Sequence, residues 1–172
     1  MRSISLITRS RAALVLLAMT ALAACSGSGS SARDASGAVT KAGTWSVFDL
    51  RRGDCLKPDS DAAGEVAEVA LVPCGQAHAQ EVFATVAHPA DAFPGVASLG
   101  QWADAQCVGE LQTALHVSPD DGYYISYLLP PFDSWNKRKD KTVTCVLVFP
   151  NEPSHAGGVV TKLLTPTTRA KG

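Results

Sequence analysis

Four cysteines, Cys55, Cys74, Cys107 and Cys145, are spread through the apolar part of this chain, and a fifth, Cys25, stands apart from them near the N-terminus. A cross-link restricts the chain before any packing is considered, so these positions bound the fold more tightly than periodicity does. Five is odd, and an exported protein with an odd count normally carries one thiol without a partner. With Cys25 set aside, four remain, and four cysteines allow three pairings. Pairing Cys55 with Cys74 and Cys107 with Cys145 is favoured because it keeps each bridge within one half of the domain. In the chain-entropy picture the two closed loops stabilise by roughly 3 and 4 kcal/mol.

Cys25 is set aside because of its surroundings. Arg2, Arg9 and Arg11 precede the apolar run 12–24 without an acidic residue, which is the pattern of a secretory signal. The run is short for a membrane span. It ends in Leu22-Ala23-Ala24-Cys25, which resembles the bacterial lipobox, whose cysteine is acylated and becomes the mature N-terminus. The expected organisation is a lipoprotein signal peptide over 1–24, a flexible Ser/Gly-rich tether over 25–44, one globular domain over 45–165 and a disordered tail over 166–172. The expected location is the cell membrane, with the domain lipid-anchored on the extracytoplasmic face. That compartment is oxidising and suits two disulfides.

Charge narrows the partners. The whole chain carries 15 basic and 16 acidic residues, and losing 1–24 removes three arginines and no acid, which leaves a net −4. Nucleic acid is excluded as an expected partner on that balance.

Patterning gives the elements. Trp45–Leu50 alternates and reads as a first strand, turned by Arg51-Arg52-Gly53-Asp54 into Cys55; Asp59–Gly64 reads as a loop. Glu65–Val72 and Gln80–Val86 are strand-like, the latter with Val82, Ala84 and Val86 on one face and Phe83 and Thr85 on the other. From Ala97 to His116, Leu99, Ala103, Cys107, Leu111 and Leu115 recur every four residues, which predicts a helix with Ser98 as its cap. Tyr123–Leu129 is a further strand. Thr142–Phe149 is the clearest strand, apolar on both faces, so it belongs in the middle of a sheet, tied to the helix by a Cys107–Cys145 bridge. Gly158–Leu164 reads as a weak terminal strand. The fold class is therefore α+β: a mostly antiparallel sheet with one main helix packed on it, in a single domain.

Phe48-x-Leu-x-x-Gly53-Asp54-Cys55, then Val72-Pro73-Cys74 with His78 four residues on and Glu81-Val82-Phe83 following, then Cys107, Pro131 and Trp135 before Thr142–Leu147, resembles the septum formation domain of actinobacterial cell-envelope proteins. The resemblance covers about residues 45–150. It implies a lipoprotein or membrane-anchored protein connected with septum formation. Ala77 stands where a proline is expected, and Lys139-Asp140-Lys141 where Gly-Asp-Arg is expected.

Candidate sites are few. His78 is an acid/base group or a metal ligand by type, but no second Cys/His pair lies at ligand spacing, so no metal and no cofactor is expected. Three residues along a strand would place Glu81 on the opposite face from His78, so a relay between them requires the turn to bend. Ser134-Trp135-Asn136-Lys137 matches Ser-x-x-Lys, but its companion motifs are missing. No catalytic set assembles, and the chain is expected not to be an enzyme. Phe132 and Trp135 precede Lys137, Arg138, Lys139 and Lys141 on an otherwise acidic domain. Aromatic plus cation suits an anionic envelope polymer, a lipid headgroup or the acidic patch of an envelope or division protein. The favoured structural reading is a hairpin loop with solvated lysines and a tryptophan folded under the core edge. The expected function is a non-catalytic, lipid-anchored envelope interaction module. Its alternatives are a small envelope hydrolase using His78 with a carboxylate, or a ligand-binding lipoprotein.

Overall fold

The computed structural model describes residues 32–57, 64–149 and 156–164. Cys25, the signal peptide, residues 25–31 of the tether and the tail lie outside them. The described strands are Gly43–Ser46 (β1), Cys55–Leu56 (β2), Gly64–Glu65 (β3), Glu68–Val72 (β4), Gln80–Ala87 (β5), Tyr124–Leu129 (β6) and Thr142–Val148 (β7), and the helices are Val96–Leu115 (α1) and Val159–Leu164 (α2). The strands form one sheet in the order β1-β4-β2-β5-β7-β6-β3. Every neighbouring pair is antiparallel except β3, which runs parallel to β6.

The doubly apolar run 142–149 does lie inside the sheet, between β5 and β6. Val143, Cys145 and Leu147 face one cluster with Leu99, Ala103, Cys107, Leu111 and Leu115 of α1. Val146 faces a second cluster with Trp45, Leu56, Val69, Leu71 and Val82. The helical stripe read from the sequence is the set of α1 side chains that is buried. Both disulfides have the expected partners, Cys55 with Cys74 and Cys107 with Cys145, and the second pins α1 to β7.

The second cluster is closed by curling of the sheet. Strands lie about 4.8 Å apart, so β1 and β7 would be separated by almost 20 Å in a flat sheet. Yet Phe48, just after β1, holds the Arg138 guanidinium 5.1 Å from its ring centre on the approach to β7.

Four local expectations are corrected. The first strand ends at Ser46, because the Ser46 hydroxyl accepts from the Phe48 N–H at 3.4 Å and starts a 3₁₀ turn over Val47–Asp49. Helix α1 begins at Val96 after Gly95, whose φ of 87° is open to glycine at little cost, and Ser98 sits inside the first turn and caps nothing. A bulge at Phe83 breaks the alternation of β5, since Val82 pairs with Val146 while Ala84 pairs with Cys145. Phe83 and Ala84 consequently both join the helix-side cluster, while Val82 joins the other. Finally, Val159–Leu164 is a helix and not a terminal strand, for a reason that belongs to the site below.

Residues 32–44, read from sequence as the end of the tether, carry defined contacts. Arg33 and Val39 form a bridge, and Asp34 accepts from the backbone N–H groups of Ser36 and Ala38. The hydrogen bond from the Ser36 hydroxyl is the largest of the effects that hold the Asp34 carboxyl below its ordinary value. Arg33 itself reaches into the domain. Its guanidinium meets both oxygens of Asp54 at 2.6 and 2.8 Å and donates to the Gly37 and Asp49 carbonyls. It also lies 4.6 Å from the centre of the Trp45 ring. The hydrogen bond to Asp54 raises the guanidinium above its ordinary value against the lowering effect of burial.

Candidate functional site

His78 and Glu81 meet because the chain bends between them. After β4, Pro73-Cys74-Gly75-Gln76 forms a turn closed by the Gln76 N–H to the Pro73 carbonyl at 2.8 Å. The chain then enters β5 through the Ala79 N–H bonded to the Leu56 carbonyl at 3.1 Å. His78 therefore precedes the pleat that would have set the two residues on opposite faces. Its Nε2 lies 3.0 Å from Glu81 Oε1, and both side chains are 0 % exposed. His78 Nδ1 lies 2.8 Å from the Gln76 carbonyl. Glu81 also accepts from the N–H of Val159 at 2.9 Å and of Val160 at 2.8 Å.

These partners satisfy the pair. Two amide N–H groups point at the Glu81 carboxyl. The His78 ring has a carbonyl at one nitrogen and that carboxyl at the other. The pair is thus a fully buried, hydrogen-bonded histidine–glutamate bridge. Glu81 satisfies the first free N–H groups of α2, which is why the terminal segment winds into a helix there.

Cys55 Sγ, His78 and Glu81 each bring one potential metal-ligating atom within 4.8 Å of the others. Cys55 is bridged to Cys74, so the group lacks the thiolate that such a site would use. No group in it is placed to act as a nucleophile on a substrate, because Cys55, His78 and Glu81 are all fully buried.

The aromatic–basic stretch divides into an inside and an outside. Ser134–Arg138 forms a π-helical turn that places Ser134 and Trp135 inside. Trp135 is 1 % exposed and donates from Nε1 to the Asp91 carbonyl at 3.0 Å. Its ring contacts those of His88 and Phe93, at centroid distances of 5.2 and 5.4 Å. Lys141 bonds Asp91 at 2.7 Å and holds that carboxyl below its ordinary range. Phe132, 55 % exposed, and Lys137, Arg138 and Lys139 form the outer surface of the turn. Lys137 bonds Asp133 at 2.9 Å, an exposed pair of little energetic weight. Among the candidate contact residues, His78, Glu81 and Trp135 are interior, Lys141 is mostly covered, and Lys137, Arg138 and Lys139 face outward.

Three residues escaped the sequence reading. Asp54 lay inside a quoted motif as a turn residue, and its burial was invisible without Arg33. Arg33 sits among Ser, Gly and Ala, where no pattern singles it out. His88 stacks on Trp102 at a centroid distance of 4.4 Å, and burial, followed by the nearby Lys141 charge, pulls its pKa below the ordinary value. A depressed histidine contributes stability that is complete above its unfolded pKa of about 6.5 and is lost as pH falls through the folded value. Thermal melts between pH 7.5 and 5.5 should therefore show a fall in Tm on acidification that is shallower in His88→Phe. Equal slopes in the two proteins would remove His88 as a contributor.

Two clefts, of about 530 and 340 Å³, lie between the start of α1 and β6 and beside the Cys55–Cys74 bridge, and Trp135 lines neither. Among the described residues, no helix is long and apolar enough to cross a membrane. The sequence model of a family described as septum formation matches residues 52–168, more than half of the chain and extending beyond α2. No curated protein and no solved structure matches the chain.

Proposed function

Because the chain belongs to the septum formation family, we propose that it is a non-catalytic interaction module of the cell envelope that acts in septum formation. The observation that carries this reading is the surface of the Ser134–Arg138 turn. Buried Trp135 anchors a rigid base, and Phe132 with Lys137, Arg138 and Lys139 projects from it. An aromatic ring beside three cations on a domain with net negative charge suits an anionic partner, either an envelope polymer or the acidic patch of a division protein. A lipid on Cys25 holds the domain at the outer face of the cytoplasmic membrane.

The non-catalytic part is supported by the state of the His78–Glu81 pair. Every polar atom of that pair is engaged within the fold, so it serves the packing of α2 and not a substrate. A small hydrolase built on His78 would need the pair to face a cleft.

Crosslinking in living cells from a photoreactive residue at position 132 tests the surface. Capture of an envelope component should fall about tenfold when Lys137, Arg138 and Lys139 are replaced together by Glu, since like charges at a rim both weaken and misdirect encounter. Undiminished capture would remove this surface as the docking site. Anchoring is tested separately: Cys25→Ser should release an intact, oxidised domain from the membrane fraction, and a domain that stays bound would end the lipid-tether proposal.

A further inference from the structure

The two disulfides sit in different chemical settings. Cys107 and Cys145 are both fully buried between α1 and β7, where no thiol can approach without opening the core. Cys74 is only half-buried, on the turn after β4. With Cys55, Gly53, Gly158 and Lys162 it lines the cleft of about 340 Å³. Cys55 lies behind it, fully buried, with its Sγ within 4.8 Å of a ring nitrogen of His78. The Cys74 sulfur is thus the accessible one, while the Cys55 sulfur is buried beside the His78 ring and the Glu81 carboxyl.

We propose that Cys55–Cys74 is a thiol–disulfide exchange site, opened by the thiolate of a dithiol reductant at Cys74. This activity is independent of the surface at Phe132 and of any role in septation. The attacking thiolate enters past the Lys162 ammonium and forms a bond to Cys74 Sγ. The bond between the two protein sulfurs breaks, and its electron pair leaves with Cys55. Attack falls on Cys74 because it is the sulfur of this bridge that a thiol can reach. The second thiol of the reductant, once deprotonated, attacks the reductant's own sulfur in the mixed disulfide. Cys74 then leaves as a thiolate, and both protein sulfurs are protonated from water. Two electrons and two protons pass to the protein, and the reductant ends as a disulfide. The Gly53 carbonyl, 3.3 Å from Cys74 Sγ, is in place to accept from the new thiol.

The test uses the full chain in detergent without denaturant, treated with reduced glutathione, quenched in acid and mapped by peptide mass spectrometry. Cys55 and Cys74 should open at least about tenfold faster than Cys107 and Cys145, with the glutathione adduct trapped on Cys74, because rate follows access. Simultaneous opening of both bridges, or an adduct on Cys55, would overturn the proposal.

Discussion

Replacing Glu81 with Ala should destabilise the domain by about 3–5 kcal/mol, as three hydrogen-bond partners at about 1–3 kcal/mol each lose the group they meet. The loss is large because three donors lose their acceptor at once. His78 Nε2 and the N–H groups of Val159 and Val160 all point at the Glu81 carboxyl, the first and last of them in the buried interior and that of Val159 partly buried. An unsatisfied buried donor carries its full desolvation penalty, and a charged one carries more. Urea unfolding should show the midpoint drop, and hydrogen exchange should show α2 opening ahead of the sheet. The double replacement of His78 and Glu81 by Leu should cost less than Glu81→Ala alone, because no buried polar side chain is then stranded without its partner. A single-variant effect below about 1 kcal/mol would mean that the pair is hydrated and that its interior assignment is wrong.

The second large effect is expected at Arg33. Its side chain and that of Asp54 are 6 % and 3 % exposed, and they meet through two hydrogen bonds in the planar geometry that guanidinium and carboxylate share. Arg33→Ala leaves Asp54 with the Arg51 N–H at 2.8 Å as its remaining donor among the described residues. The expected cost is about 3 kcal/mol, at the low end of the buried-pair range because that amide still supports the carboxylate. Arg33→Lys should recover only part of it, since an ammonium cannot bond both oxygens and the Gly37 and Asp49 carbonyls together. A chain starting after residue 40 should lose stability to the same extent, by urea unfolding. If residues 32–40 were a slack tether, both changes would fall within about 0.5 kcal/mol of the parent.

Much of the fold was legible because its signals are local. The four-residue spacing of Leu99 through Leu115 specifies a buried stripe wherever the helix lies, and each of those five side chains is buried. The double alternation of 142–149 required two covered faces, and only an interior strand has both. The disulfide pairing followed from sequence proximity, which holds here because β2 pairs with β4 and α1 packs across β7. The Phe83 bulge was not legible, since one extra residue costs nothing in the pattern and is fixed by the register of β7 opposite.

The sites divide in the same way. Residue types at the turn 132–141 declared an aromatic–basic segment, but which side chains face outward depends on the winding of Ser134–Arg138 and on the Asp91 carbonyl that receives Trp135, 44 residues away in sequence. His78 and Glu81 were visible as a pair of residue types. Their contact depends on a bend before β5, and the other partners of Glu81 lie at a helix start 78 and 79 residues further on. Segments such as 156–164 carry weak intrinsic preference, and a buried carboxylate that collects two amide protons is enough to turn a strand-like sequence into a helix.

By itself, then, the sequence determined the cross-link frame, the helix with its buried face, the central strand and the family, because each is written in spacing along the chain. Only the tertiary structure decided that Arg33 belongs to the domain, that the His78–Glu81 pair is interior, and that one disulfide faces a cleft while the other is sealed. Those properties are relations between distant residues in a medium of low dielectric. Burial and charge pairing exist only once the sheet has curled and its two faces have been covered.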